Sequence, residues 1–242
     1  MIWWKAWRES RTRFGLAVAL IAFIVAAAIL DCDRQMARYD VKPPITFARY
    51  VSMVYGSHFQ LAWVASSFLL GLGGLLRERA LGTAQYTLSL PVSRRRLVAV
   101  RAAMGAAEAA LLALIPVVVI PVTARVIGRS YPPSEALKFS ALILLAGIVF
   151  FFVGLFCSAF LQNEFAAASI GGVSLYAFFT AGQYLDRWFP PFNMGRFLSG
   201  FEFVDLTTGY LNGWPWLGML WSLAVAVLLF WCATEITERV DF

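Results

Sequence analysis

The chain has 242 residues, 60% hydrophobic and 16% aromatic, with only 14% charged and a mean hydropathy of +0.72. Soluble domains carry roughly 25% charged residues, so a water-exposed exterior is excluded, as are a disordered chain and a disulfide scaffold; a polytopic membrane protein remains. The net charge of +6 does not signify nucleic acid, because the basic residues flank apolar runs, where a bilayer places them.

Residues 1–13 mix Trp3, Trp4 and Trp7 with Lys5, Arg8, Arg11 and Arg13, a pattern that predicts a short interfacial elbow helix. A crossing needs about 20 helical residues, and Phe14–Leu30 is the first such run. Asp31 directly before Cys32 argues against a lipoprotein signal, so this span is read as retained. An outer loop over 31–57 with Pro43-Pro44 leads to a second span, His58–Leu76. The inner segment 77–101 precedes a third span, Ala102–Val126, and a loop with Arg129 and Pro132-Pro133 precedes a fourth, Phe139–Leu161. A tight inner turn, Gln162-Asn163-Glu164, opens the fifth span, Phe165–Leu185. The outer stretch 186–213, with Trp188, Phe189, Pro190, Pro191 and Phe192, leads to the sixth, Trp214–Ala233.

None of these runs alternates with period two, which disfavours a barrel. The expected fold is all-α: one transmembrane domain over 1–242, with six transmembrane helices behind the elbow. Six crossings put both termini on one side. If that side is the cytoplasm it holds eleven basic residues against nine opposite. Ten of the eleven crowd into the first thirteen residues and one loop, which favours cytoplasmic termini in a plasma membrane.

Much chemistry is excluded by what is scarce. His58 is the lone histidine, and Cys32, Cys157 and Cys232 form no CxxC, so neither an HExxH site nor a zinc knot is available. The three lysines, Lys5, Lys42 and Lys138, never follow a glycine, so no phosphate-binding P-loop exists. The chain is expected not to be an enzyme and to draw energy from a partner or an ion gradient.

The inner loop is where the sequence speaks. Leu81, Ala84 and Leu88 have helical spacing, Pro91 ends that short helix, and Ser93 is placed to cap the next. Arg94, Arg95 and Arg96 then occupy the first turn, where they oppose the helix dipole. Lipid phosphates or a docked acidic protein would account for them; an ordinary positive-inside anchor is the plainer alternative.

The run Glu78-x3-Gly82-Thr83 followed by Leu88-Ser89-Leu90-Pro91-Val92-Ser93-Arg94 resembles the signature loop of type-2 ABC exporter permeases. The aromatic stretch Phe201 to Gly213 before the last span is also similar. The resemblance implies a membrane subunit that pairs with a second permease copy, as a homodimer in the bacterial inner membrane. It also implies a separate ABC ATPase subunit that binds ATP and Mg, the chain itself holding no cofactor. Segment 77–96 would be the coupling loop, with Glu78, Gly82, Thr83, Leu88, Leu90, Pro91, Ser93 and Arg94 as the ATPase-coupling residues. Asn163 and Glu164 are a possible second ATPase contact, or simply helix caps. A membrane scaffold or assembly component, and a lipid-processing enzyme, stay open as alternatives.

Within the spans, Glu108 is the intramembrane polar candidate. An ionisable group there is a functional hypothesis by default, against snorkelling, or pairing with Arg101 or a neighbouring helix. Pro116 and Pro121 are expected to kink span three. The pairs Ser67/Gly71, Ala167/Gly171 and Ala168/Gly172 have the small-xxx-small spacing of close helix contacts.

Overall fold

The computed structural model describes residues 2–38, 45–73, 93–161, 166–173, 204–205 and 208–239. Among these the chain is helical, with an isolated antiparallel bridge between Val204 and Leu211 in place of any strand. The helices are α1 (Ile2–Leu30), α2 (Cys32–Arg38), α3 (Phe47–Val54), α4 (Gln60–Gly71), α5 (Arg94–Val126), α6 (Pro133–Phe160) and α7 (Trp216–Arg239). A π turn over Tyr55–Phe59 joins α3 to α4 without a break, and residues 166–173 form a further helical stretch. Four helices, α1, α5, α6 and α7, are long and apolar enough to cross a membrane.

Local chemistry explains the boundaries. Ser93 is extended and its side chain accepts from the Arg96 N–H at 3.3 Å, the N-cap expected of it. Pro133 occupies the first turn of α6, where its missing N–H has no role. Both Pro116 and Pro121 lie inside α5, which runs on through them. Thr46 caps α3 by accepting from the Arg49 N–H at 3.3 Å.

Two expectations need correcting. The first thirteen residues are not set apart as an elbow: Ile2–Leu30 is one helix of 29 residues. Nothing between Arg13 and Leu16 stops it. Its face at Ala6, Ser10, Ala17, Ile21, Val25 and Ile29 follows one helical stripe, buried at all but the partly buried Ser10. The second span starts at Phe47, not His58, and ends at Gly71. Ser57 and His58, polar enough to suggest a loop, sit on the exposed side of a continuous helix and hydrogen-bond each other at 2.9 Å.

Helix directions follow from which ends touch. Ile2 packs beside Leu97 and Val98, and Glu9 pairs with Arg101, so α1 and α5 run parallel. Tyr55 donates to the Ala136 carbonyl at 3.0 Å, Trp63 faces Gly147, and Gly71 meets Gly154, so α3–α4 runs parallel to α6. Phe230 packs on Phe152 and on Leu97, and Arg94 reaches Glu238, so α7 runs with α6 and against α5. The beginnings of α1 and α5 and the ends of α4, α6 and α7 therefore share one end of the bundle, here the proximal end. At the distal end Arg129 pairs with Asp33 and covers the Phe47 ring at 5.1 Å. Tyr50 donates to the Ala28 carbonyl there at 2.8 Å.

The main core cluster among the described residues is built round Trp63, Tyr55, Phe59, Phe151 and Leu142, with three smaller clusters beside it. Trp63 is fully buried and donates its indole N–H to the Ala109 carbonyl at 3.0 Å. Helices α4 and α6 meet almost backbone to backbone: a Cβ on Gly71 would lie 2.2 Å from the Phe151 carbonyl oxygen, and one on Gly154 2.3 Å from that of Phe68. Gly71 thus fulfils its small-residue expectation. Gly171 also faces a neighbour, the Phe68 ring, whereas Gly172 faces open space. Large apolar side chains on α1 (Leu16, Leu20, Phe23) and α7 (Leu220, Trp221, Leu228, Trp231) point outward, as a lipid-facing surface requires.

Candidate functional site

The polar chemistry of the bundle gathers at the proximal end. There α5 begins with three arginines, and two of them are answered from within the chain. The Arg95 guanidinium grips the Glu238 carboxylate with two N–H groups, Nε to Oε1 and Nη2 to Oε2, the latter at 2.8 Å. Arg94 Nη1 donates to the carbonyls of Thr237 and Glu238 at 3.4 and 3.2 Å. The last carbonyls of a helix lack intrahelical donors and carry the negative end of its dipole. Arginines that oppose the dipole of α5 therefore complement that of α7. Neither a lipid phosphate nor an acidic partner is needed to explain Arg94 and Arg95.

Two turns further along α5, Arg101 turns to α1. Its Nη2 lies 3.4 Å from Glu9 Oε2, and Lys5 approaches Glu9 Oε1 at 3.8 Å. Arg13 Nη1 donates to the Leu69 carbonyl at 3.5 Å, near the end of α4.

Glu108 comes next. It is 1% exposed, and its Oε1 is hydrogen-bonded to the Ser10 hydroxyl of α1. Its Oε2 is buried with no hydrogen-bond partner among the described residues. The same Ser10 hydroxyl lies 3.1 Å from the Ala6 carbonyl and 3.3 Å from that of Trp7. A cavity of about 40 Å³ adjoins the pair, lined by Glu9, Ser10, Arg13, Arg101 and Glu108 among apolar groups that include Gly105 and Phe151. That volume admits a few water molecules and falls far short of the 300 Å³ or so of a small-molecule site. Of the partners expected for Glu108, Arg101 on its own helix or a group on a neighbouring helix, the structure shows the second: Ser10 of α1.

The anticipated site residues divide cleanly. Ser93 caps α5, and Arg94 and Glu108 lie on it. Glu78, Gly82, Thr83, Leu88, Leu90 and Pro91 lie outside the described residues, as do Asn163 and Glu164. The structure adds Ser10, Glu9, Thr237 and Glu238, none of which the sequence singled out. Ser10 had a local signal, since it falls four residues after Ala6 on the apolar stripe of α1. Glu238 had none, being 143 residues from Arg95. Among the described residues no group of three or more His, Cys, Asp or Glu is placed to hold a metal.

No protein family matches the chain, and no curated protein is significantly similar to it.

Proposed function

We propose that this chain is the membrane-spanning permease subunit of an ATP-driven exporter of the type-2 ABC class, driven by a separate ATPase subunit that binds ATP and Mg. The observation that carries the reading is the sorting of helix ends. Segment 74–92, which holds the motif from Glu78 to Pro91, is flanked by the end of α4 and the start of α5. Both lie at the proximal end, beside both ends of the described chain. A loop that receives force from a partner on the side of the termini belongs there.

The same sorting supports six crossings. Helix α6 ends proximally and α7 starts distally, an arrangement that a six-crossing chain requires. Residues 166–173 form a helical stretch whose Ala167 packs with Phe68 and Leu72. With Phe47–Gly71 counted as one crossing beside the four long helices, a sixth, Phe165–Leu185, is part of the reading and lies mostly outside the described residues; six crossings leave both termini on one face. The charge distribution makes that face cytoplasmic, in a bacterial inner membrane. Each copy is read as half of a homodimer, and alternating access then needs two packings of the dimer.

Co-purification tests the reading. A candidate ATPase subunit with a P-loop, co-expressed with the chain, is retained on it in detergent. Glu78→Arg and Leu88→Asp are expected to lose that partner while still inserting in the membrane. Retention by both variants would place docking elsewhere, and accessibility of a cysteine at Ser89 from the outer face would overturn the reading.

A further inference from the structure

The unexplained feature of the bundle is Glu108. Along α5 it sits 17 residues before Arg125, about 26 Å of helix at 1.5 Å per residue. A hydrocarbon core of about 30 Å measured from Arg125 therefore ends just proximal to Glu108. The carboxyl is thus inside the apolar layer, close to its proximal boundary, and it is separated from the proximal charged groups only by the small cavity. Ala102 to Ala124 includes no other ionisable residue.

Its surroundings can be enumerated. From α1 come Glu9, Ser10 and Arg13, and from α5 itself Arg101; α4 and α6 contribute Leu70, Gly71, Phe151 and Leu155 to the same cavity, none of them charged. Arg101 engages Glu9, and Arg13 engages the Leu69 carbonyl. The hydrogen bond that Glu108 itself makes is to Ser10, a neutral hydroxyl; its second oxygen is buried without a partner among the described residues, and the residue lines a cavity with room for water. A serine hydroxyl both donates and accepts, whereas an ionised carboxylate only accepts. The Ser10–Glu108 contact is therefore satisfied in two states. In one, Glu108 carries a proton and donates it to Ser10 Oγ, while the serine hydrogen turns to the Ala6 carbonyl. In the other, Ser10 donates to the carboxylate, which has released its proton toward the cavity that Glu108 lines. The same two helices stay tied in both.

We propose that the Ser10–Glu108 pair is a proton-binding site, exchanging with the proximal aqueous phase through the water-sized cavity beside Arg101. The step is a plain transfer: the acid gives its proton to a cavity water, leaving carboxylate and hydronium, and the reverse reloads it. The bond reversal at Ser10 makes the contact between α1 and α5 sensitive to pH on one side of the membrane. This inference does not depend on the permease reading, because it concerns the chain alone.

A hydrophobic carbodiimide reacts with the protonated form of carboxyls buried in an apolar layer, and the adduct is located by mass spectrometry. The full chain in native membranes is expected to be labelled at Glu108. The yield should fall along a single-proton curve as pH rises, about tenfold per pH unit on its steep limb. Glu108→Gln loses the adduct. Ser10→Ala, which keeps the carboxyl but removes the group that accommodates both states, is expected to displace the pH midpoint while labelling persists. A structural carboxyl with fixed protonation shows no such midpoint. Glu108 left unlabelled at every pH in membranes, yet labelled once the chain is unfolded in detergent, overturns the proposal. So does a yield that ignores pH, or one whose pH curve Ser10→Ala leaves in place. If Glu108→Gln does not fold, the wild-type curve and the serine variant decide the matter.

Discussion

Replacing Gly71 by alanine puts a single methyl group where α4 and α6 touch through their backbones. The new Cβ would stand 2.2 Å from the Phe151 carbonyl oxygen and 2.8 Å from the Leu155 nitrogen. Neither atom can rotate away, so the helices must separate by roughly 1 Å before ordinary contact distances return. Overpacking of that kind costs typically 1–3 kcal/mol, and alanine in a helix gives back up to about 1 kcal/mol relative to glycine. A net loss of about 1–2 kcal/mol is expected, read as a lowered unfolding temperature of the purified protein in one detergent. Gly15→Ala is the control: it is also helical, and nothing lies within 4 Å of its new methyl, so only the propensity gain remains. Gly154→Ala presses the same two helices apart, its Cβ meeting the Phe68 carbonyl oxygen at 2.3 Å. The double variant should therefore cost less than the sum of the singles, because the first substitution has already opened the gap. A Gly71→Ala protein as stable as Gly15→Ala would falsify the backbone-contact account of this crossing.

Two further outcomes follow from the ends of the bundle. The Arg95–Glu238 pair is bidentate but exposed on the arginine side, so solvent screening should leave either single alanine variant with only a small drop in unfolding temperature. The exchange Arg95→Glu with Glu238→Arg should recover part of that loss, and high salt should shrink the coupling. A cycle with no coupling at low salt would show that α7 is held by packing and by Arg94 alone. At the distal end, burial pushes the Cys32 thiol above the usual range, with the nearby Arg129 pulling the other way. Less thiolate at neutral pH, and a fully buried sulfur, predict slow alkylation by a maleimide in the folded protein. The rate should climb as pH is raised and reach that of an ordinary thiol once the chain is unfolded. Equal rates folded and unfolded at neutral pH would mean that Cys32 is not held within the core cluster.

Several features were legible because they are local. Ser93 before Arg94 marks a helix boundary through side-chain chemistry that acts within one turn. Gly71 stood out for its small-residue spacing. The same spacing could not tell Gly171, which meets Phe68, from Gly172, which meets nothing, since that depends on how the helix is rotated. The polar pair Ser57 and His58 misled in the other direction. An exposed face of a helix and a loop have the same composition, and only the continuous backbone through the π turn separates them.

The site divides the same way. Glu108 is conspicuous as a carboxylate in an apolar run, and the rule that such groups matter needs no coordinates. Its partner Ser10 lies 98 residues away, and the partner of Arg95 lies 143 away; no periodicity reaches that far.

Hydropathy and cap chemistry were enough to establish a helical membrane protein, the start of α5 after its Ser93 cap, its end at Val126 and the end of α6, because each of those quantities is set by neighbours along the chain. Which arginine answers which helix end, and why a lone carboxyl tolerates burial, was decided only when α1, α5 and α7 came together. Those contacts are pairwise terms between distant segments, and they exist only once the bundle has brought the helix ends to one side.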